Sequence, residues 1–191
     1  SGSRAYVADG SKGVQIFDLS NPLKPARIGE YDTPGEARDV AAVNQLVYVA
    51  DGSAGIQILD VSDPTAVQLV ASLDTPGTAQ GIAGTNRHIY VADGDQGLRI
   101  INVSIPFAPV VDSIVREANQ ARQVQIQGSY AYIADGANGL RIINIASPVR
   151  PFQVGRESLA PLLDVPPPVP LQPANPPAEA APANPPGGLP E

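Results

Sequence analysis

Four aspartates, Asp9, Asp51, Asp93 and Asp135, recur every 42 residues, each followed by glycine and preceded by Tyr-Val-Ala or Tyr-Ile-Ala. A carboxylate can serve as acid, base, nucleophile or metal ligand, so these are the first residues to test for chemistry. Each lies in a turn that ends at Gly13, Gly55, Gly97 or Gly139. An aspartate in such a turn can accept backbone N–H bonds while both glycines take positive φ. Catalysis needs the carboxylate once, whereas a repeated turn needs it in every copy. The repetition therefore predicts a structural turn role for all four. Calcium requires several converging oxygens, and only Asp93 and Asp95 of Asp-Gly-Asp offer two nearby carboxylates, without EF-hand spacing. They are weak metal candidates, and no cofactor is expected.

A second aligned set, Asp18, Asp60, Asn102 and Asn144, stands four residues before Pro22, Pro64, Pro106 and Pro148. Such side chains cap turns. Two of the four are amides, which carry no transferable proton, so an acid–base role is disfavoured. Asn102-Val103-Ser104 also matches an N-glycosylation acceptor, but its place in a repeated turn makes the match read as coincidence. His88 is the only histidine, and its counterparts are Arg4, Leu46 and Tyr130, the pattern of a surface position at a strand start. Cysteine is absent, as are a Gly-x-Ser-x-Gly elbow and a phosphate-binding glycine motif. The expectation is a protein that is not an enzyme, with carboxylate-only chemistry as the residual catalytic alternative.

The elements that position these residues follow from the same period. Landmarks such as Ile16, Ile58, Ile100 and Ile142 keep the 42-residue register without insertions. A fixed period near 40 residues predicts a propeller or a solenoid. Residues 46–50 (LVYVA) and 55–62 (GIQILDVS) are rich in β-branched residues and separated by a glycine turn, which predicts strands. Both faces of LVYVA are apolar, so that strand must be covered on both sides. One period, residues 36–77, holds four candidate strands, which fits a four-stranded propeller blade.

The phrases YVADGSKGVQIFDLSNP, YVADGSAGIQILDVSDP, YVADGDQGLRIINVSIP and YIADGANGLRIINIASP resemble LVIVD repeats over residues 1–157. There is no tryptophan, hence no WD40 signature. The resemblance implies a β-propeller of four blades and an extracellular or cell-surface location, typical of bacteria and archaea. It implies no defined chemistry.

The chain opens at the second strand of a blade, so blade one lacks an inner strand. Residues 158–165 (SLAPLLDV) are the candidate ring-closing strand, since LLDV resembles ARDV of residues 37–40 after a one-residue deletion. The alternatives are a four-bladed monomer, a larger ring completed by a second chain, or an open arc in an assembly. Residues 166–191 hold 11 prolines and no lysine or arginine, which predicts a linker or docking tail.

Acids outnumber bases 19 to 12, for a net charge of -7, and no basic stripe is present, which argues against a nucleic-acid partner. No apolar run approaches the roughly 20 residues that span a bilayer. Methionine is absent even at position 1, the mark of a processed or excised product. Binding specificity should sit where the copies differ. Those positions are Lys12, Asp95, Gln96 and Asn138 in the turns, and Glu36, Arg38, Gln120 and Arg122 at the inner-strand starts. The reading is a structural or protein-interaction module that binds proteins or itself. Its rivals are a subunit of an extracellular filament or surface layer, and a propeller that acts on a ligand through its central channel.

Overall fold

The computed structural model describes residues 3–158. The expected closing strand, except Ser158, and the proline-rich segment lie outside the described residues. Blade one holds β1 (Arg4–Ala8), β2 (Val14–Asp18) and β3 (Ala26–Tyr31). Blade two holds β4 (Asp39–Val43), β5 (Leu46–Ala50), β6 (Ile56–Asp60) and β7 (Gln68–Leu73). Blade three holds β8 (Gly81–Gly84), β9 (His88–Ala92), β10 (Leu98–Asn102) and β11 (Val110–Val115). Blade four holds β12 (Gln123–Gln127), β13 (Tyr130–Ala134), β14 (Leu140–Asn144) and β15 (Phe152–Glu157).

Every blade is an antiparallel meander in chain order, four-stranded in blades two to four and three-stranded in blade one. Among the described residues, blade one has no inner strand and β1 pairs only with β2. Alternation along each strand decides which face meets which neighbour. On the forward face of blade two, Tyr48, Ala50, Ile56 and Ile58 pack with Ile82, Ile89, Val91 and Ile101 on the backward face of blade three. Blade three presents Tyr90, Ala92, Leu98 and Ile100 to blade four in the same way. Blade one presents Val14 and Ile16, with Tyr6 and Ala8, to Val47, Val49 and Leu59 of blade two. The core is therefore three sheet-on-sheet layers rather than one centre, which is why both faces of LVYVA are apolar. Burial raises the Tyr48 and Tyr90 phenols above their usual pKa.

The turn glycines take the backbone expected of them. Gly10, Gly52, Gly94 and Gly136 have φ between 53° and 62°, and a Cβ on Gly55 would lie 2.4 Å from the Leu73 carbonyl oxygen. The outer pair of each blade carries one bulge at a fixed place, leaving Ile28, Val70, Asp112 and Val154 unpaired in the register.

Candidate functional site

Asp51, Asp93 and Asp135 are fully buried at one end of their blades, in the turns after β5, β9 and β13. Their carboxylates do not cap their own turns, which corrects the expected local role. They reach instead to the loop that enters the blade from its predecessor. Asp51 accepts the Thr33 hydroxyl at 2.6 Å and the Gly35 N–H at 3.0 Å. Asp93 repeats this with Thr75 at 2.7 Å and Gly77 at 3.2 Å, and Asp135 takes the Gln120 N–H at 2.7 Å. The glycine beside each aspartate handles the loop that leaves. Gly10 pairs with Ala37, Gly52 with Ala79 and Gly94 with Ala121, each at the start of the next inner strand. Asp51-Gly52 and Asp93-Gly94 thus each tie an arriving loop with the side chain and a departing one with the backbone.

The two end blades leave this scheme half filled. Asp9 is exposed, and no described residue supplies it an incoming loop. Among the described residues, Gly136 has no outgoing bridge and begins a short 3-10 turn, Gly136–Asn138.

Two cations escaped sequence reasoning. Arg99 Nε lies 2.6 Å from Asp93, and Arg141 bonds Asp135 in the same way. Their counterparts Gln15 and Gln57 donate instead to the Lys12 and Ala54 carbonyls. The alignment of Gln15, Gln57, Arg99 and Arg141 was the available signal. His88, expected at the surface, is half-buried and pairs through Nε2 with Asp112 at 2.9 Å. The bulge at Asp112 brings it there, and the other blades carry Ile28, Val70 and Val154 at that position.

The metal reading of Asp93 and Asp95 has little geometry behind it. Asp93 is engaged by Thr75, Gly77 and Arg99, while Asp95 is exposed beside Gln96 at 3.4 Å. Among the described residues, no three potential ligands of the His, Cys, Asp or Glu type converge. The second aligned set behaves as predicted. Asp18, Asp60, Asn102 and Asn144 accept the N–H two residues on, at 2.8, 2.8, 3.0 and 3.0 Å. The Ser20 hydroxyl and N–H hold Asp18 below the usual carboxylate pKa, and the Ser62 N–H does the same for Asp60.

The positions that vary between copies gather at the end of the blades that carries the buried aspartates. Glu36 and Arg38 form an exposed ion pair at 3.1 Å and line a shallow depression with Ser53 and Thr78. The next depression, one blade on, is lined by Asp95, Gln120 and Arg122 with Gln80. Lys12 lies over blade one in a third, near Arg27 and Glu30. Asn138 donates to Asn119 Oδ1 at 2.9 Å. The result is a polar face of small grooves, two between blades and one over blade one, of mixed charge and without aromatic residues in them.

Antiparallel four-stranded sheets packed face to face in series, with blade-to-blade ties at one end, define a β-propeller architecture. The family model of the LVIVD repeat matches residues 1–33, 34–75, 76–116 and 118–156, so the chain belongs to the LVIVD repeat family. No curated protein matches it. Among solved structures, the chain is similar to a functionally unknown protein from Desulfotomaculum acetoxidans DSM 771, with 13% identity and a TM-score of 0.67. That match covers 82% of this chain and 53% of the other. The computationally designed Ika8 protein is similar at 7% identity and a TM-score of 0.64, with 83% of this chain and 48% of that chain covered. The chain thus spans about half the length of these solved chains. A repeat propeller of this kind suits a protein-interaction module, and no helix among the described residues is long and apolar enough to cross a membrane.

Proposed function

We propose that the protein is a non-enzymatic interaction module, displayed outside the cell or on its surface, which binds a protein partner across the polar end of its blades. The observation that carries this reading is the division of labour in each repeat. Asp51, Asp93 and Asp135 repeat without change and are buried, whereas exposed Glu36, half-buried Thr78 and exposed Gln120 differ at one repeat position. A buried, repeated framework that presents a varied, exposed rim is what a recognition surface requires. A role without catalysis fits the geometry, since the best-placed carboxylates are consumed by structural bonds. The surface location rests on family resemblance and on the proline-rich tail of residues 166–191, which suits a tether.

The test is capture of extracellular proteins by the immobilised chain, followed by Glu36→Lys and Arg122→Glu variants. Loss of a captured protein with both variants supports the reading. Capture that ignores them, or turnover of a substrate by the purified chain, overturns it.

A further inference from the structure

The end of the blades opposite the buried aspartates carries a second repeated turn, formed after β2, β6, β10 and β14. Each turn is closed by one backbone bond. The Lys24, Ala66, Ala108 and Arg150 N–H groups donate to the Asn21, Asp63, Ile105 and Ser147 carbonyls at 2.9, 3.1, 2.9 and 3.0 Å. Proline fills the second position of every turn, as Pro22, Pro64, Pro106 or Pro148, and fixes its φ. The third position is Leu23, Thr65, Phe107 or Val149. Leu23 is 91% exposed, Phe107 75% and Val149 59%, and Ile105 beside Phe107 is 53% exposed. Blade three has a neighbour on both faces, so the exposure of Ile105 and Phe107 belongs to the turn itself. Exposed Thr65 sits in the same bond pattern, so the turn does not require an apolar residue there. Lone exposed apolar residues need no explanation, but recurrence at one turn position does. The turns also rest on a fixed frame. Ser113 Oγ donates to the Pro148 carbonyl, and a Cβ on Gly29 would lie 1.9 Å from the Pro64 carbonyl oxygen. The outer strands of blades one and three thus pack against the turn of the next blade.

We propose that these turn tips dock the protein on an anionic lipid surface, with Leu23, Phe107 and Val149 entering the headgroup region. Charge selects the occupant. The exposed cations Lys24 and Arg150 directly follow Leu23 and Val149, and the four turns hold one acid, Asp63, in a chain of net charge -7. Asp18 and Asp60 stand at the same end, where Arg4 and Arg87 offset them. Apolar side chains beside cations are what an interfacial lipid contact uses, the one set entering the headgroup boundary and the other meeting its negative charge. Spacing selects a bilayer over a protein. The tips stand on separate turns of separate blades, so they give a protein pocket no continuous floor, whereas a fluid surface takes in separate side chains without matching their shape. The polar grooves stay free at the opposite end, so lipid contact and protein capture use different faces of the blades.

Co-sedimentation of the 191-residue chain with vesicles tests this. The chain should pellet with vesicles that mix phosphatidylcholine and phosphatidylglycerol, and less with phosphatidylcholine alone. Leu23→Thr combined with Phe107→Thr gives both turns the residue that blade two already carries as Thr65. An unchanged melting temperature checks that this variant folds, and its vesicle affinity should fall at least about tenfold. Lys24→Glu combined with Arg150→Glu should abolish the preference for phosphatidylglycerol. The chain has no tryptophan, so Phe107→Trp supplies a single reporter whose emission should move to the blue on the mixed vesicles. Failure to pellet with the mixed vesicles, pelleting that the threonine variant leaves unchanged, a lipid preference that survives charge reversal, or an emission that vesicles do not shift would each overturn the proposal. So would a protein held through these turns by a chain that ignores lipid.

Discussion

At the scale of single residues, position in the chain changes what one repeated side chain is worth. Asp93 is buried against Arg99, Thr75 and Gly77, so Asp93→Ala strands a buried guanidinium and should cost about 3–5 kcal/mol. Asp9→Ala removes the same atoms from an exposed site and should stay within about 0.5 kcal/mol in the monomer. Denaturant unfolding of the two variants checks the contrast. Arg99→Gln adopts what blades one and two already have at Gln15 and Gln57 and should be milder than Asp93→Ala. The aligned turn caps give a pH prediction. Asp18 and Asp60 have depressed pKa values in the folded chain, so their contribution is present above the ordinary value of about 3.9 and is lost as pH falls through the folded value. Asn102 and Asn144 do not titrate. Amide exchange at Ser20 and Ser62 should therefore accelerate in acid relative to Ser104 and Ala146.

At the scale of the element, the turn between second and third strands is the least replaceable part of a blade. Gly10 and Gly55 both have positive φ, but a Cβ on Gly10 meets nothing within 4 Å, whereas one on Gly55 collides with the Leu73 carbonyl. Gly10→Ala should cost about 1–2 kcal/mol from the left-handed backbone alone, and Gly55→Ala clearly more, as melting would show. Strands, turns and blade count were legible because 42-residue spacing, β-branched runs and Asp-Gly pairs are local signals. The targets of the buried aspartates were not legible in that way. Thr33 is 18 residues from Asp51, and only the folded loop shows that the carboxylate points back along the chain rather than into its own turn. Arg99 and Arg141 were visible as letters but not as partners, since an alternating strand does not state how far a guanidinium folds back. The His88–Asp112 pair needed the bulge, which sequence spacing does not reveal.

At the scale of the whole molecule, packing is a series of nearest-neighbour interfaces, and stability should follow that one-dimensional order. Central strands β5 and β9, covered on both faces, should show the slowest hydrogen exchange, with β1 and blade four faster. The grooves of the polar end lie between loops of successive blades, so recognition there draws on neighbouring repeats of one chain.

The bulge shared by every outer strand pair has one more consequence. An unbroken outer strand would offer a straight row of free amides and carbonyls, a template for cross-molecular stacking into insoluble aggregates. By inserting Ile28, Val70, Asp112 or Val154 out of register, each blade twists that row away from flatness. The perimeter should therefore resist aggregation. Deleting Val70 to straighten blade two would be expected to lower solubility before it altered recognition at the polar end.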